Sequence, residues 1–254
     1  MTTSKEVLDT LKSQADERQR QILMRFFKTG EGEYGEGDKF LGLRVPLTRA
    51  VAAECKDLPL EEIEELLRSE WHEARLCGLL VLVSQFGKHC SRRLTDDKRA
   101  MALRDSLIEF YVAHAERANN WDLVDLSAPK TLGYWLVLPS FYSDNDKMAL
   151  VDCLAESGNL WKERISMVCT WGALQKGNPS YTLRYAERHL HHSHDLMHKA
   201  VGWMLREMGK RVNIDLLRSF LDMHAAEMPR TALRYAIEKM DEKERRHWMD
   251  IGRE

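Results

Sequence analysis

Residues 60–86, LEEIEELLRSEWHEARLCGLLVLVSQF, read as two helices joined by a short turn. Apolar side chains recur at helical spacing in Leu60–Leu67 and again in Trp71–Phe86, which is typical of helices that bury one face. Because the connection between them is only a few residues long, the two helices must lie side by side. The stretch therefore predicts an antiparallel helix pair.

The same pattern continues in both directions from this pair. We expect a first helix over roughly Ser4 to Lys28 and a long amphipathic helix over Lys98–Ala118. Further helices are predicted to begin near Trp121, Asp144, Asn159, Ser180, Asp195, Asn213 and Pro229. There is no Asn-Gly hairpin signal and no sustained polar–apolar alternation, so strands are not expected. Many short helices with short turns predict an all-α helical-repeat solenoid, as one domain over residues 1–254.

One glycine-rich segment interrupts the helical pattern. Thr29–Pro46 reads TGEGEYGEGDKFLGLRVP and contains five glycines. Such a concentration of glycine favours a loop over any regular element. The segment is predicted to separate the first helix from all the others.

Composition excludes several classes of protein. The 254 residues are 44% hydrophobic and 31% charged, as expected of a soluble chain. The first ten residues are polar and predict no signal peptide, and the apolar run Gly78–Val83 is too short to span a bilayer. The cysteines are scattered and odd in number, at Cys55, Cys77, Cys90, Cys153 and Cys169. We therefore expect a cytoplasmic protein with reduced thiols and no contact with membranes.

The net charge places a condition on any nucleic-acid function. A formal charge of −2 argues against a generally basic nucleic-acid-binding protein. Binding to DNA would require the positive charge to be concentrated on one face. Without such a face, a helical-repeat scaffold for other proteins is the better interpretation.

The most informative segment is Asn119–Asp125, NNWDLVD. Asn120 is a suitable N-cap for a helix that starts at Trp121. Trp121 and Asp125 are then four residues apart and share one helix face. A tryptophan beside a carboxylate on an accessible face is a candidate catalytic pair. The alternative is that Asp122 and Asp125 only favour a helix N-terminus while Trp121 fills the core.

A second candidate lies in residues 199–210, KAVGWMLREMGK. One face of the predicted helix is apolar, and another carries Lys199, Trp203, Arg206 and Lys210. Cations around a tryptophan suit a nucleic-acid backbone, because the charges match phosphates and the flat ring matches a sugar or base. The alternative is a solvated basic face whose tryptophan packs on a neighbouring helix.

Three further arginines are candidate phosphate ligands. Arg164 lies in Trp161–Arg164, WKER, where a guanidinium could bind a phosphate through two hydrogen bonds. Arg230 and Arg234 follow Pro229 and share a helix face. The alternative for Arg164 is a surface ion pair with Glu163 or Glu207, and the alternative for Arg230 and Arg234 is a face turned to solvent.

Together these segments resemble the AlkD-like DNA alkylation repair family, over nearly the whole chain and in the family's order. The matching stretches are TGEGEYGEGDKFLGLRVP, NNWDLVDLSAPKTLG, LWKERIS, KAVGWMLREMGK and PRTALRYAIEKM. The resemblance implies an α-solenoid of HEAT-like antiparallel helix pairs, C-shaped, with a basic concave face. It also implies excision of positively charged N3- and N7-alkylpurines by a monofunctional glycosylase that uses no metal or other cofactor.

The resemblance also assigns roles to individual residues. Asp125 matches the family's catalytic aspartate, and Trp121 and Trp203 match the tryptophans beside the lesion. Arg164 and Arg206 match arginines that contact DNA. Lys199, Lys210, Arg230 and Arg234 are added as DNA-binding candidates from their helix faces. The expected partner is duplex DNA with alkylated bases, bound by a monomer.

One competing feature is a histidine-dense stretch between two predicted helices. It runs from His189 to His198, and imidazoles are good zinc ligands. Neighbouring histidines in such a position more often form a solvated turn, so no metal site is predicted. Two alternatives to the glycosylase stay open: a catalytically silent protein that binds DNA structures, and a protein-interaction scaffold.

Overall fold

Helices make up most of the described part of the chain. The structure, a computed structural model, describes residues 1–251, and within them no β-strand forms apart from an isolated bridge between Lys39 and Trp71. None of the described helices is long and apolar enough to cross a membrane. The all-α prediction is confirmed.

The chain divides into two compact units, the first made of Met1–Ser127 with Pro139–Phe141. Short 3-10 turns occupy Arg92–Leu94 and Ala115–Arg117. The helices of the first unit are α1 (Ser4–Ser13), α2 (Glu17–Phe26), α3 (Val45–Glu54), α4 (Leu60–Arg68), α5 (His72–Lys88), α6 (Lys98–Ala113) and α7 (Trp121–Ser127).

The second unit contains Ala128–Leu138 and the chain from Tyr142 onward. A 3-10 turn at Ala128–Lys130 precedes its helices. They are α8 (Leu132–Trp135), α9 (Asp144–Ala155), α10 (Leu160–Val168), α11 (Thr170–Leu174), α12 (Ser180–Arg188), α13 (Asp195–Arg211), α14 (Ile214–His224), α15 (Arg230–Ala236) and α16 (Glu242–Asp250). The prediction of a single repeat domain over the whole chain stays a prediction.

The helix pair at residues 60–86 is confirmed as α4 and α5. The two helices pack on each other, and Ile63, Leu66 and Leu67 of α4 are buried. Complete burial of one such side chain stabilises the fold by about 1.5–3 kcal/mol. The pair thus forms part of the core of the first unit, and the first turn of α5 carries part of the candidate site.

The predicted helix starts also agree with the structure. α9, α12 and α13 begin at the predicted residues, and Asn159 and Asn213 are the N-caps of α10 and α14. The Asn213 side chain accepts a hydrogen bond from the N–H of Asp215 at 2.8 Å. Such caps are local, because they satisfy backbone donors within the same turn.

The single first helix predicted over Ser4–Lys28 is wrong. The chain turns after α1, and Asp16 begins α2 by accepting a hydrogen bond from the N–H of Gln19 at 2.9 Å. The N–H of Asp16 donates to the carbonyl of Leu41 at 3.1 Å. Gly42 passes so close that a Cβ there would lie 2.1 Å from the carbonyl oxygen of Asp16. The glycine-rich loop therefore packs into the break between the two helices.

Helix α13 is the centre of the second unit. It packs against α10, α12, α14 and α15, and its apolar stripe is buried as predicted. At Gly202 the backbones of α13 and α15 come together, because a Cβ there would lie 2.3 Å from the carbonyl oxygen of Ala232. The opposite stripe of α13 carries polar side chains, among them Arg206 and Lys210.

Candidate active site

A cavity of about 450 Å³ lies within the first unit, where α2, the glycine-rich loop, α5 and α7 meet. Its walls are mostly apolar. Four aromatic rings line it, together with three carboxylates and one imidazole: Phe26, Phe27, Phe40, Trp121, Glu73, Asp122, Asp125 and His72. Its chemistry is therefore that of an aromatic pocket with acidic groups on one side.

The predicted pair Trp121 and Asp125 lies on this cavity. α7 begins at Trp121 as predicted, and the Asn120 side chain accepts a hydrogen bond from the N–H of Trp121 at 2.9 Å. Trp121 and Asp125 both line the cavity, and both are half-buried. The structure thus brings the two predicted residues to one accessible wall, as the helix spacing requires.

Trp121 is held by neighbouring rings. Its indole stacks on Phe27 with ring centres 5.3 Å apart and meets Phe26 edge-on at 5.8 Å. Phe26 is 61% exposed although it is a large apolar residue. Trp121 is therefore a packed wall of the cavity and is not a fully buried core residue. Such aromatic contacts contribute about 0.5–1.5 kcal/mol each beyond their buried area.

Asp122 is buried and takes part in an ion cluster. Its Oδ2 lies 3.0 Å from Nε2 of His72, whose Nδ1 lies 2.8 Å from Oδ2 of Asp38. All three side chains are buried, and His72 is only 2% exposed. The imidazole is thus enclosed between two carboxylates.

The two carboxylates change the protonation of His72. Burial by itself would lower its pKa, but the charges and hydrogen bonds of Asp122 and Asp38 raise the pKa to about 9. Burial would likewise raise the pKa of Asp38, but the hydrogen bond and charge of His72, together with Arg75, lower it. At neutral pH the histidine is therefore an imidazolium that donates to both carboxylates.

Glu73 anchors the glycine-rich loop to the same turn of α5. Its carboxylate accepts hydrogen bonds from the N–H groups of Leu41, Gly42 and Leu43 at 2.9, 2.9 and 3.0 Å. The residue is buried and lines the cavity. These three bonds give the loop a defined path although it has almost no regular structure.

The cationic stripe predicted on α13 is present in the second unit. Trp203 and Arg206 are half-buried, and Lys210 is exposed. Lys199 pairs with Asp195 at 2.7 Å, while Arg206 pairs with Glu238 and lies 3.6 Å from Glu207. The predicted arrangement of one face is therefore present, with two of its cations in ion pairs.

The other three arginines lie in different environments. Arg164 of α10 is buried and donates to the carbonyl of Leu196 at 2.5 Å. Arg230 donates to the carbonyls of Met249 and Ile251, at the end of α16. Arg234 is exposed. Arg164 and Arg230 thus support neighbouring helix ends, and their predicted contact with DNA stays a prediction.

The histidine-dense stretch is folded into the second unit by hydrogen bonds. His189 is buried, with Nε2 2.8 Å from the hydroxyl of Ser166, and burial lowers its pKa to about 4. His192 pairs with Glu163 at 2.9 Å, and His198 bonds the carbonyl of His192 at 2.5 Å. Over residues 1–251, no three His, Cys, Asp or Glu side chains are grouped so as to hold a metal.

Sequence reasoning did not identify the residues around Trp121 and Asp125. His72 is 34 and 50 residues from Asp38 and Asp122 along the chain, and Phe26 and Phe27 are 95 and 94 residues from Trp121. One signal was present: His72, Glu73 and Arg75 are three polar residues at the start of α5, directly before its apolar run over residues 76–83. Buried polar groups of that kind need partners.

Two comparisons with known proteins gave a match, one to a family and one to a fold. The sequence model of the family described as DNA alkylation repair enzyme matches residues 7–240. A solved structure described as a predicted DNA alkylation repair enzyme from Enterococcus faecalis is similar, with a TM-score of 0.63 and 17% identity. The similarity covers 90% of this chain and 98% of that one, and shows a shared fold. Among curated proteins there is no significant match.

Proposed function

The chain belongs to the family of DNA alkylation repair enzymes, and from that premise we propose that it is a DNA glycosylase for alkylated purines. Its substrates are positively charged N3- and N7-alkylpurines in duplex DNA. The enzyme hydrolyses the N-glycosidic bond and leaves an abasic site. The observation that carries the proposal is the Asp125 carboxylate beside Trp121 on an accessible cavity.

The chemistry of an alkylated purine explains why a carboxylate is enough. Alkylation at N7 or N3 makes the base a cation, so it departs as a neutral molecule and needs no strong general acid. As the bond lengthens, positive charge develops on the sugar around C1′. A fixed carboxylate stabilises that charge and orients the attacking water. At 4 Å and an effective dielectric constant of 20, the attraction is about 4 kcal/mol.

The tryptophans have a complementary role in this proposal. The indole of Trp121 is held by Phe26 and Phe27, so its face has a defined direction. An indole face beside a cationic sugar contributes roughly 0.5–2 kcal/mol. Trp203 is proposed to act in the same way. The pairing of the two tryptophans around one lesion rests on the family resemblance.

DNA binding is assigned to the stripe on α13. Lys210 is exposed, and the ion pairs of Lys199 and Arg206 include partly exposed carboxylates. An exposed pair such as Lys199–Asp195 contributes only about 0–1 kcal/mol, so a phosphate can replace its carboxylate at little cost. Arg234 adds another exposed cation. We expect the lesion to be recognised through the backbone and sugar, and the protein to act as a monomer without metal.

One alternative has specific support. A catalytically silent protein that binds DNA would also keep the exposed Lys210 and the other cations of the α13 stripe, because they suit phosphates whether or not Asp125 is active. A protein-interaction scaffold is favoured only by the net charge of −2. Neither of these two alternatives releases a base from DNA, whereas a glycosylase does.

The test is a single-turnover assay on duplex DNA that contains N7-methylguanine, scored for released base. The wild-type protein is expected to release it, and Asp125→Asn to release almost none while binding the DNA with unchanged affinity. Asp222→Asn, at an exposed aspartate of the second unit, is the matched control and should behave as wild type. Equal release by the Asp125→Asn and wild-type proteins at saturating enzyme would falsify the proposal.

A further inference from the structure

His72 is a buried imidazole that touches carboxylates from two different segments of the chain. Asp38 comes from the glycine-rich loop and Asp122 from the first turn of α7. We propose that protonated His72 is a positioning residue, which holds α7 and thereby sets the places of Trp121 and Asp125. The inference deepens the proposed glycosylase function and rests on it for its catalytic meaning.

The hydrogen bonds make Asp122 depend on His72. Within residues 1–251, His72 is the one hydrogen-bond partner of the Asp122 carboxylate, because Oδ1 of Asp122 is buried with none. A neutral imidazole carries a single N–H. Loss of its charge would therefore leave either Asp122 or Asp38 as a buried carboxylate without that donor, which is strongly unfavourable.

The balance of charges in the cluster also favours a protonated His72. Asp38 is also paired with Arg75 at 2.5 Å and receives the side-chain N–H of Asn120 at 3.3 Å. With His72 protonated, two carboxylates are matched by two cations. The charged groups of the cluster are Asp38 of the loop, Arg75 of α5 and Asp122 of α7, with Arg117 of the 3-10 turn before α7 acting on Asp38 and with Glu73 and Asp125 lining the adjacent cavity.

The short length of α7 transmits any change at Asp122. The helix spans seven residues, Trp121–Ser127, which is about two turns. Asp122 is adjacent to Trp121 and lies three residues before Asp125, so a shift of its turn moves both. An active carboxylate must be placed within about 0.5 Å. Loosening of this turn should therefore lower the rate of base release more than the affinity for DNA.

The glycine-rich loop, which carries Asp38, is held in place by hydrogen bonds to the first turn of α5. The N–H of His72 donates to the carbonyl of Lys39 at 2.8 Å, and Glu73 takes three N–H groups of the loop. The loop residues that follow Asp38 are thus held by several hydrogen bonds, which fixes the position of Asp38 beside His72. Through Asp38 the loop supplies one of the two carboxylates, with Asp122 of α7, that keep His72 protonated against the cost of its burial.

The first measurement needs no activity. In nitrogen-15 NMR spectra of the wild-type protein, assigned with His72→Gln, both ring nitrogens of His72 should stay protonated from pH 6 to about 8. Hydrogen exchange at the amides of Trp121–Ser127 should be faster in His72→Gln than in wild type. A neutral imidazole at pH 7, or unchanged exchange in α7, would overturn the inference. His191→Gln, at an exposed histidine, is the control.

The second measurement is the pH profile of single-turnover base release. Wild-type release should decline as the pH rises through the titration of His72. Asp38→Asn should move the decline to lower pH by about one unit, because one of the two carboxylates that favour the charged form is neutral. A purely structural residue would not shift the pH profile. A profile of Asp38→Asn that coincides with the wild-type profile would therefore contradict the positioning role.

His72→Gln should lower the rate constant at least tenfold at pH 7, with the dissociation constant for DNA within twofold of wild type. Adding Asp122→Asn, which removes the unbonded charge, should restore part of the rate. If His72→Gln does not fold by circular dichroism, Asp38→Asn decides the matter. If the wild-type protein releases no base, the NMR and exchange results still test the positioning of α7, so the two proposals fail separately.

Discussion

The ion cluster around His72 in the first unit and the ion pairs along α13 in the second use similar groups for opposite purposes. His72, Asp38 and Asp122 are almost completely buried, whereas Lys199 is partly exposed and pairs with an exposed aspartate. A buried charge needs its partner, since water cannot replace it. An exposed pair can exchange one partner for another. The comparison indicates that the first unit supplies a fixed geometry and the second an adaptable cationic surface.

The largest expected effect is on stability at the buried cluster. His72→Leu should lower the free energy of unfolding by about 3–5 kcal/mol, because it leaves Asp38 paired only with Arg75 and Asp122 with no donor. Lys199→Met on α13 should change it by no more than about 1 kcal/mol. Urea denaturation of the two variants measures both values. Equal losses would remove the distinction between the two regions.

The pH dependence of stability sharpens the same distinction. The pKa of His72 is raised from 6.5 to about 9 in the folded protein, so its contribution is complete below pH 6.5 and is lost as the pH rises to about 9. The linked change is about 3 kcal/mol. The difference between wild type and His72→Gln in unfolding free energy, measured from pH 6 to 9.5, isolates this residue. A constant difference over that range would contradict the prediction.

A smaller effect is expected from the aromatic wall of the cavity. Trp121→Ala should lower base release about 2- to 30-fold, which corresponds to the loss of roughly 0.5–2 kcal/mol of cation–π stabilisation. Phe141→Ala removes an exposed ring that does not line the cavity and serves as the control. Single-turnover kinetics on N7-methylguanine DNA compare the two. If Trp121→Ala releases the base at the wild-type rate, the indole of Trp121 serves only to pack against its neighbours.

The smallest effect concerns the exposed cations of the second unit. Lys210→Ala should leave folding unchanged and make the plot of log K against log salt shallower by about 0.9, the value for one lost phosphate contact. Arg206→Ala should do the same if a phosphate displaces Glu238. Lys243→Ala on α16 is the comparison variant. Fluorescence anisotropy with duplex DNA gives the slopes, and an unchanged slope would remove that side chain from the DNA surface.

Local features of the fold could be predicted from the sequence, and features that need two distant segments could not. The helix starts at Trp121, Asp144 and Asp195 follow from caps and periodicity within a few residues. The break between α1 and α2 has a local signal in the N-cap Asp16, but the packing of Gly42 against the backbone of Asp16, which accompanies the break, could not be predicted. A contact between residues that far apart leaves no local pattern.

The same division holds within the candidate site. By itself, the sequence determined that Trp121 and Asp125 share a face, because four residues complete about one helical turn. Only the tertiary structure decided that His72 lies between Asp38 and Asp122, which are 34 and 50 residues away along the chain. It also decided that Arg164 is buried against Leu196 while Lys210 remains exposed. Residue type and spacing set which groups share a helix face, whereas burial decides which of those groups must be paired and which stay exposed to solvent.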